Sequence, residues 1–295
     1  MTPHSIEFPR RIVPEGFRFL LTASSTIVAI LVVAAAAPSY DELERQAKAA
    51  HARGASEEAL KLATQAISIE PRNPRGYLMR ARIHEGTREP ARAIADCDQV
   101  VKLSPGLPDA WQLRGSEHFK LGHIPESIAD FDQFLRLVPQ QTPHHWQRGI
   151  AYYYAGRFED GRKQFELHQT VNPNDVENAV WHFLCVARAS SVEKARAALI
   201  PIQGDARVPM MEVHALFAGK LKPQDVLKAA RAGDPPAARL KQQLFYAHLY
   251  LGLYFEALGE AAPAREHITK AAEEFQTGDY MGEVARVHSR LRWPK

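Results

Sequence analysis

Cysteine is nearly missing from this sequence. Among its 295 residues only Cys97 and Cys185 are cysteines, far apart and in no Cys-x-x-Cys pair. A disulfide framework and a zinc ribbon are thereby excluded. Charge of one sign is not in excess either, because 37 basic residues face 34 acidic ones for a formal net charge of +3. A body so close to neutrality argues against nucleic acid as a partner. Signatures of catalysis are also wanting: there is no Gly-x-x-x-x-Gly-Lys phosphate loop, no Gly-x-Ser-x-Gly elbow, no Gly-x-Gly-x-x-Gly fingerprint and no His-Glu-x-x-His pair. What remains is an ordinary globular composition, 45% hydrophobic and 24% charged, with length enough for one large or two modest cores.

The N-terminus reads as an export signal. Arg10, Arg11 and Arg18 precede an uncharged run from Phe19 to Ala37 that closes on four alanines before Pro38. Cleavage after Ala36 suits the small-x-small rule. Retention as an anchor is open as well, since 19 residues at 1.5 Å each reach about 28 Å. Either fate carries the rest of the chain across the membrane, and the absence of a nearby cysteine excludes lipid attachment.

A period of 34 residues then dominates. Pro71, Pro105, Pro139 and Pro173 are evenly spaced, each behind an amphipathic segment such as Val-Val-Lys-Leu-Ser-Pro105. Gly54, Gly122 and Gly156 each stand 17 residues before a proline, where a left-handed turn between paired helices needs a residue without Cβ. Arg88 breaks this series in the second repeat. Ala59, Ala63, Ala66 and Ala93, then Trp111, Gly115 and Phe131, then Gly149, Tyr152 and Phe165, complete one stripe at helical spacing.

With those residues in hand, 40–175 resembles four consecutive tetratricopeptide repeats (TPRs), the third, Trp111 to Pro139, being the best match. The resemblance implies an all-α fold: a right-handed α-solenoid of helix pairs whose first helices line a concave groove. Ser39 to Glu42 forms a capping box that opens the first helix. Beyond Pro173 the spacing predicts a buried helix over 176–189, a short helix capped at Ser190 to Glu193, and two more over 210–218 and 224–231. In 244–274 a further TPR-like unit returns through Gly252, Gly259, Ala264 and Ala271, followed by a capping helix over 280–292. The division expected is thus 1–37 signal or anchor, 38–175 four repeats, 176–243 divergent helices, and 244–295 late repeat plus cap. This arrangement resembles bacterial envelope adaptors of the new lipoprotein I type, without their lipid-bearing cysteine. That likeness implies a cell-envelope adaptor that gathers enzymes.

Projecting the first helices onto the groove predicts the partner-binding face. The second repeat presents Arg75, Leu78, Arg82 and Glu85; the third Gln112, Ser116, Phe119 and Lys120; the fourth Trp146, Ile150, Tyr153 and Tyr154. Aromatics and arginine are the usual anchors of protein interfaces. A competing reading packs Trp146 and Tyr153 against the next repeat. A carboxylate clamp is disfavoured, because the matching positions Glu44, Lys48, Leu78, Arg82, Gln112 and Ser116 include no asparagine.

The other candidates have plain explanations. His118 with His123, His144 with His145, and His84 lack metal-ligand spacing, and Cys97 reads as a buried thiol. Asp130, Asp132, Glu273 and Glu274 read as solvated faces. No cofactor, metal or catalytic residue is expected, and the partner is a protein or peptide, with the membrane reached only through the N-terminus. Self-association through the aromatic run Leu244 to Leu258 is the structural alternative, and an unrecognised hydrolase the remote one.

Overall fold

Each proline-to-proline interval folds into two helices joined by a short turn. The structure is a computed structural model that describes residues 37–294, so the export segment lies outside the described residues. The four pairs are α1 (Tyr40–Ala52) with α2 (Ser56–Ile69), α3 (Pro74–Gly86) with α4 (Pro90–Leu103), α5 (Pro108–Leu121) with α6 (Ile124–Leu137), and α7 (Trp146–Tyr154) with α8 (Phe158–Gln169). There follow α9 (Val176–Ala189), α10 (Val192–Ala197), α11 (Met210–Phe217), α12 (Pro223–Arg231), α13 (Ala237–Ala257), α14 (Ala261–Thr269) and α15 (Tyr280–Arg292). No strand occurs among the described residues.

The boundaries have local causes. Helices α2, α4 and α6 stop two residues before Pro71, Pro105 and Pro139, because a proline disfavours helical backbone at the residue ahead of it. Ser39 opens α1 by accepting from the Glu42 amide at 3.3 Å, and Asp279 opens α15 by accepting from the Gly282 amide at 2.9 Å. Between paired helices Gly54, Gly122, Gly156 and Gly259 all take φ between +73° and +80°. Arg88 holds the same turn in the second pair at φ +58°, so a side chain endures the left-handed backbone that glycine takes freely.

Packing within a pair repeats at a spacing of sixteen residues. A Cβ on Gly149 would lie 2.7 Å from Phe165, and one on Gly252 would lie 2.6 Å from Ile268, so the small residue lets the second helix's bulky side chain sit against backbone. This correspondence makes α13 and α14 a true late pair. Polar contacts keep the same register. Arg80, Arg114 and Arg148 each fork across two second helices: Arg114 Nη2 meets Asp130 at 2.7 Å in its own pair, and its Nη1 meets Asp98 at 2.7 Å in the preceding one. Arg80 does this with Asp96 and Thr64, Arg148 with Gln164 and Asp132.

Four local expectations are corrected. Asp130 is 4% exposed rather than solvated, because Arg114 neutralises it. Helix α7 starts late, at Trp146, since Pro139 and Pro143 shape a 3₁₀ turn over Pro139–His144. Helix α13 begins seven residues before Leu244, because Ala237 to Gln243 is rich in strong helix formers. The cap of α10 is Ser191, which accepts from the Lys194 amide.

The core is unevenly shared. In the first pair and α3 it consists largely of alanines around Tyr40, Leu43, Met79 and Ile83. From Phe119 onward a single aromatic-rich cluster runs through α9 and α13 into α15. Phe245, Tyr250 and most of the Leu244 to Leu258 run belong to that cluster, so the surface expected for self-association is interior. Cys97 and Cys185 are free and fully buried, and burial pushes both thiols up, away from nucleophilic use.

Candidate functional site

The first helices of successive pairs touch one another, α1 with α3 and α3 with α5, and so share a wall. Its open stretch is a groove whose floor is Leu78, Met79 and Ile83, flanked by Glu44, Arg75 and Arg82. The groove continues past Arg82 to Glu85, Gln112 and Gln147 on one side and to Arg88 and Lys120 on the other. Its far end is bounded by Asp279, Tyr280 and Glu283 at the start of α15.

Charges on this wall are matched in pairs. Arg75 pairs with Glu44 and stands 3.6 Å from Asp41, while Lys48 Nζ lies 2.8 Å from the same Glu44. Arg82 pairs with Asp109, and Lys120 with Glu117 and, at 3.7 Å, with Glu85. Burial, then the nearby Glu44 carboxylate, pushes the Tyr40 hydroxyl up to about 12, so it stays a neutral surface beneath Arg75. Half-exposed pairs of this kind contribute little to folding and can exchange partners at low cost. The wall therefore offers an apolar floor with guanidinium and carboxylate groups free to re-pair.

The predicted face divides in two. Arg75, Leu78, Arg82, Glu85 and Gln112 stand on the open wall, and Lys120 reaches it from the α15 end. The remainder is covered by the chain itself. Phe119 and Ile150 are fully buried, Tyr153 is 1% exposed, and Ser116 is buried. Tyr280 of α15 stacks on Phe119 at 5.4 Å between ring centroids and receives Trp146 edge-on at 5.2 Å. Trp181 of α9 packs edge-on against Tyr153 at 5.4 Å, the contact that the competing reading anticipates. The Tyr154 hydroxyl lies 2.9 Å from His288 Nδ1 in α15. The aromatic half of the groove face is thus held against α9 and α15 as part of the core.

The histidines are engaged in hydrogen bonds. His84 Nδ1 lies 2.8 Å from Glu89, and His118 Nδ1 lies 3.4 Å from His123 Nδ1. His145 accepts from the Arg148 amide and meets Gln112 Oε1 at 2.6 Å, and burial, then Arg148, pulls its pKa down to about 4. Among the described residues no three His, Cys, Asp or Glu side chains gather as metal ligands, and no helix is long and apolar enough to cross a membrane. Sequence reasoning missed the cover from α15 and the arginine forks. The forks had a visible signal, since Arg80, Arg114 and Arg148 are themselves 34 residues apart.

Helix pairs, left-handed hinges and a shared inner wall define the class as a tetratricopeptide-repeat solenoid, an interaction scaffold for proteins. Residues 44–108 and 113–175 match the model of the tetratricopeptide repeat. A tetratricopeptide repeat protein from Parabacteroides merdae shares the fold with a TM-score of 0.57 at 17% identity, over 85% of this chain and 98% of that one. MamA from Desulfovibrio magneticus gives a TM-score of 0.52 at 16% identity, over 68% of this chain and 100% of the MamA chain. No curated protein sequence matches the chain significantly.

Proposed function

We propose that the chain is an exported or membrane-anchored scaffold that docks partner proteins on the open wall of α1, α3 and α5 and performs no catalysis itself. The observation that carries this reading is the open wall itself, an apolar floor of Leu78, Met79 and Ile83 rimmed by charges that can re-pair. Export rests on Arg10, Arg11 and Arg18 ahead of the uncharged run to Ala37. The likeness to envelope adaptors of the new lipoprotein I type supports a role in gathering enzymes at the cell envelope.

Capture of partners from the native source tests the wall. Leu78→Glu inserts a charge on the floor and should cut recovered partners about tenfold or more, a loss on the scale of one interface hot spot, while circular dichroism stays unchanged. Undiminished capture by a folded Leu78→Glu protein would remove the wall from the account. Fractionation and N-terminal sequencing of the same sample test export: a mature chain starting near Ala37, or a chain retained in the membrane fraction, is expected, and a soluble cytoplasmic chain that retains Met1 contradicts it.

A further inference from the structure

Helix α15 lies across the inner wall of α5 and α7, where the sequence placed partner-binding aromatics. Its stripe of Met281, Val284, Ala285, Val287 and His288 is buried, and Tyr280 joins it at the open end. The wall therefore already accepts an amphipathic helix. Three features show that this resident fits imperfectly.

The first is polar. Where α15 meets α5, Tyr280 Oη and Glu117 Oε2 are both buried without a hydrogen-bond partner. An unpaired buried donor and an unpaired buried acceptor each cost free energy that a better-matched helix would recover. At the other end of α15, His288 Nε2 and Arg292 Nε approach Glu256 to 3.1 and 2.9 Å, yet neither has the angle of a directed hydrogen bond.

The second is backbone strain. Arg88, the left-handed residue of the second pair, reaches Thr277 O at 3.4 Å and Glu283 at 4.0 Å. Strained backbone is thereby placed against the start of α15.

The third is attachment. Residues 276–279, which join α15 to the π-helical turn Lys270–Glu274, form no helix. On the α5 side its last turn is tied by Arg290 Nη2 donating to Lys120 O at 2.6 Å, an exposed bond.

We propose that the inner wall of α5 and α7 is a second docking surface, for an amphipathic helix of another protein, and that α15 is the strap that holds it shut. A partner helix with an aromatic residue at its leading end and an aliphatic stripe behind it takes the place of α15, which swings away about 276–279. The claim goes beyond the open-wall reading and stands whether or not a protein docks on Leu78.

Native-state hydrogen exchange on the unmodified full chain tests the strap first. Amides of α15 should exchange about tenfold or more faster than those of α9, reporting an opening below global unfolding; exchange in step with α9 overturns the proposal. The second arm uses a fluorescent synthetic peptide of residues 278–294 as the probe on full-length variants. Arg290→Ala unties the strap and should tighten peptide binding by about threefold or more, because a larger share of molecules has the wall free. Tyr280→Phe removes the unpaired hydroxyl, secures the strap and should weaken binding. Equal affinities for wild type and both variants overturn the proposal. So does a concentration-dependent dimer that forms in Arg290→Ala alone, which would make a second copy the occupant.

Discussion

A methyl group decides whether two helices of a pair can meet. Phe165 packs where a Cβ on Gly149 would stand 2.7 Å away, so Gly149→Ala should cost about 1–3 kcal/mol, the usual penalty for overpacking a filled core. Chemical denaturation would show this as a lower midpoint at unchanged slope. His145 makes a different prediction. Its folded pKa is pulled to about 4, below the 6.5 of the free side chain, so the unfolded chain takes up a proton that the native one resists. The stability it supports is complete above about pH 6.5 and is lost as the pH falls toward 4. Denaturation midpoints should therefore decline from pH 7 to pH 4.5, and less so in His145→Gln. An identical decline in that variant would assign the pH dependence to other groups. These residue-scale features were only partly legible. The hinge glycines and Gly149 declare themselves by period, whereas the depth of His145 depends on the 3₁₀ turn before α7, which two prolines build by removing donors.

At the scale of elements, the repeats are tied by arginines as well as by apolar packing. Arg114 neutralises the buried Asp130, while Arg148 at the same repeat position meets the neutral Gln164. Truncating Arg114 leaves a buried carboxylate without its partner, so Arg114→Ala should cost about 3 kcal/mol or more. Arg148→Ala should cost clearly less. Thermal denaturation of the two variants side by side checks the order, and equal losses would show that the forks act through packing alone. Helix existence and type were readable throughout, because proline stops and amphipathic stripes are local signals. Boundaries failed where local propensity outran the repeat, as in α13, and Asp130 was misjudged because its arginine lies one helix away.

For the whole molecule, a one-dimensional repeat pattern describes a wall but not what lies across it. Arg75, Leu78, Arg82, Glu85 and Gln112 are placed on the open wall by the register that their own repeats set. Phe119, Trp146, Ile150, Tyr153 and Tyr154 obey the same register, yet α9 and α15 cover them through contacts more than a hundred residues apart in the case of Tyr154 and His288. No local spacing reports such a contact, which is why half of the candidate face was legible and half was not. The account makes the open wall the place where another protein rests. Photo-crosslinking in the native source tests it most directly, with a photoreactive residue at position 78 on the floor and, for comparison, at the exposed Leu167 of α8. Discrete crosslinked partners from position 78 and none from position 167 are expected; partners from 167 alone, or the same partners from both, would contradict the account.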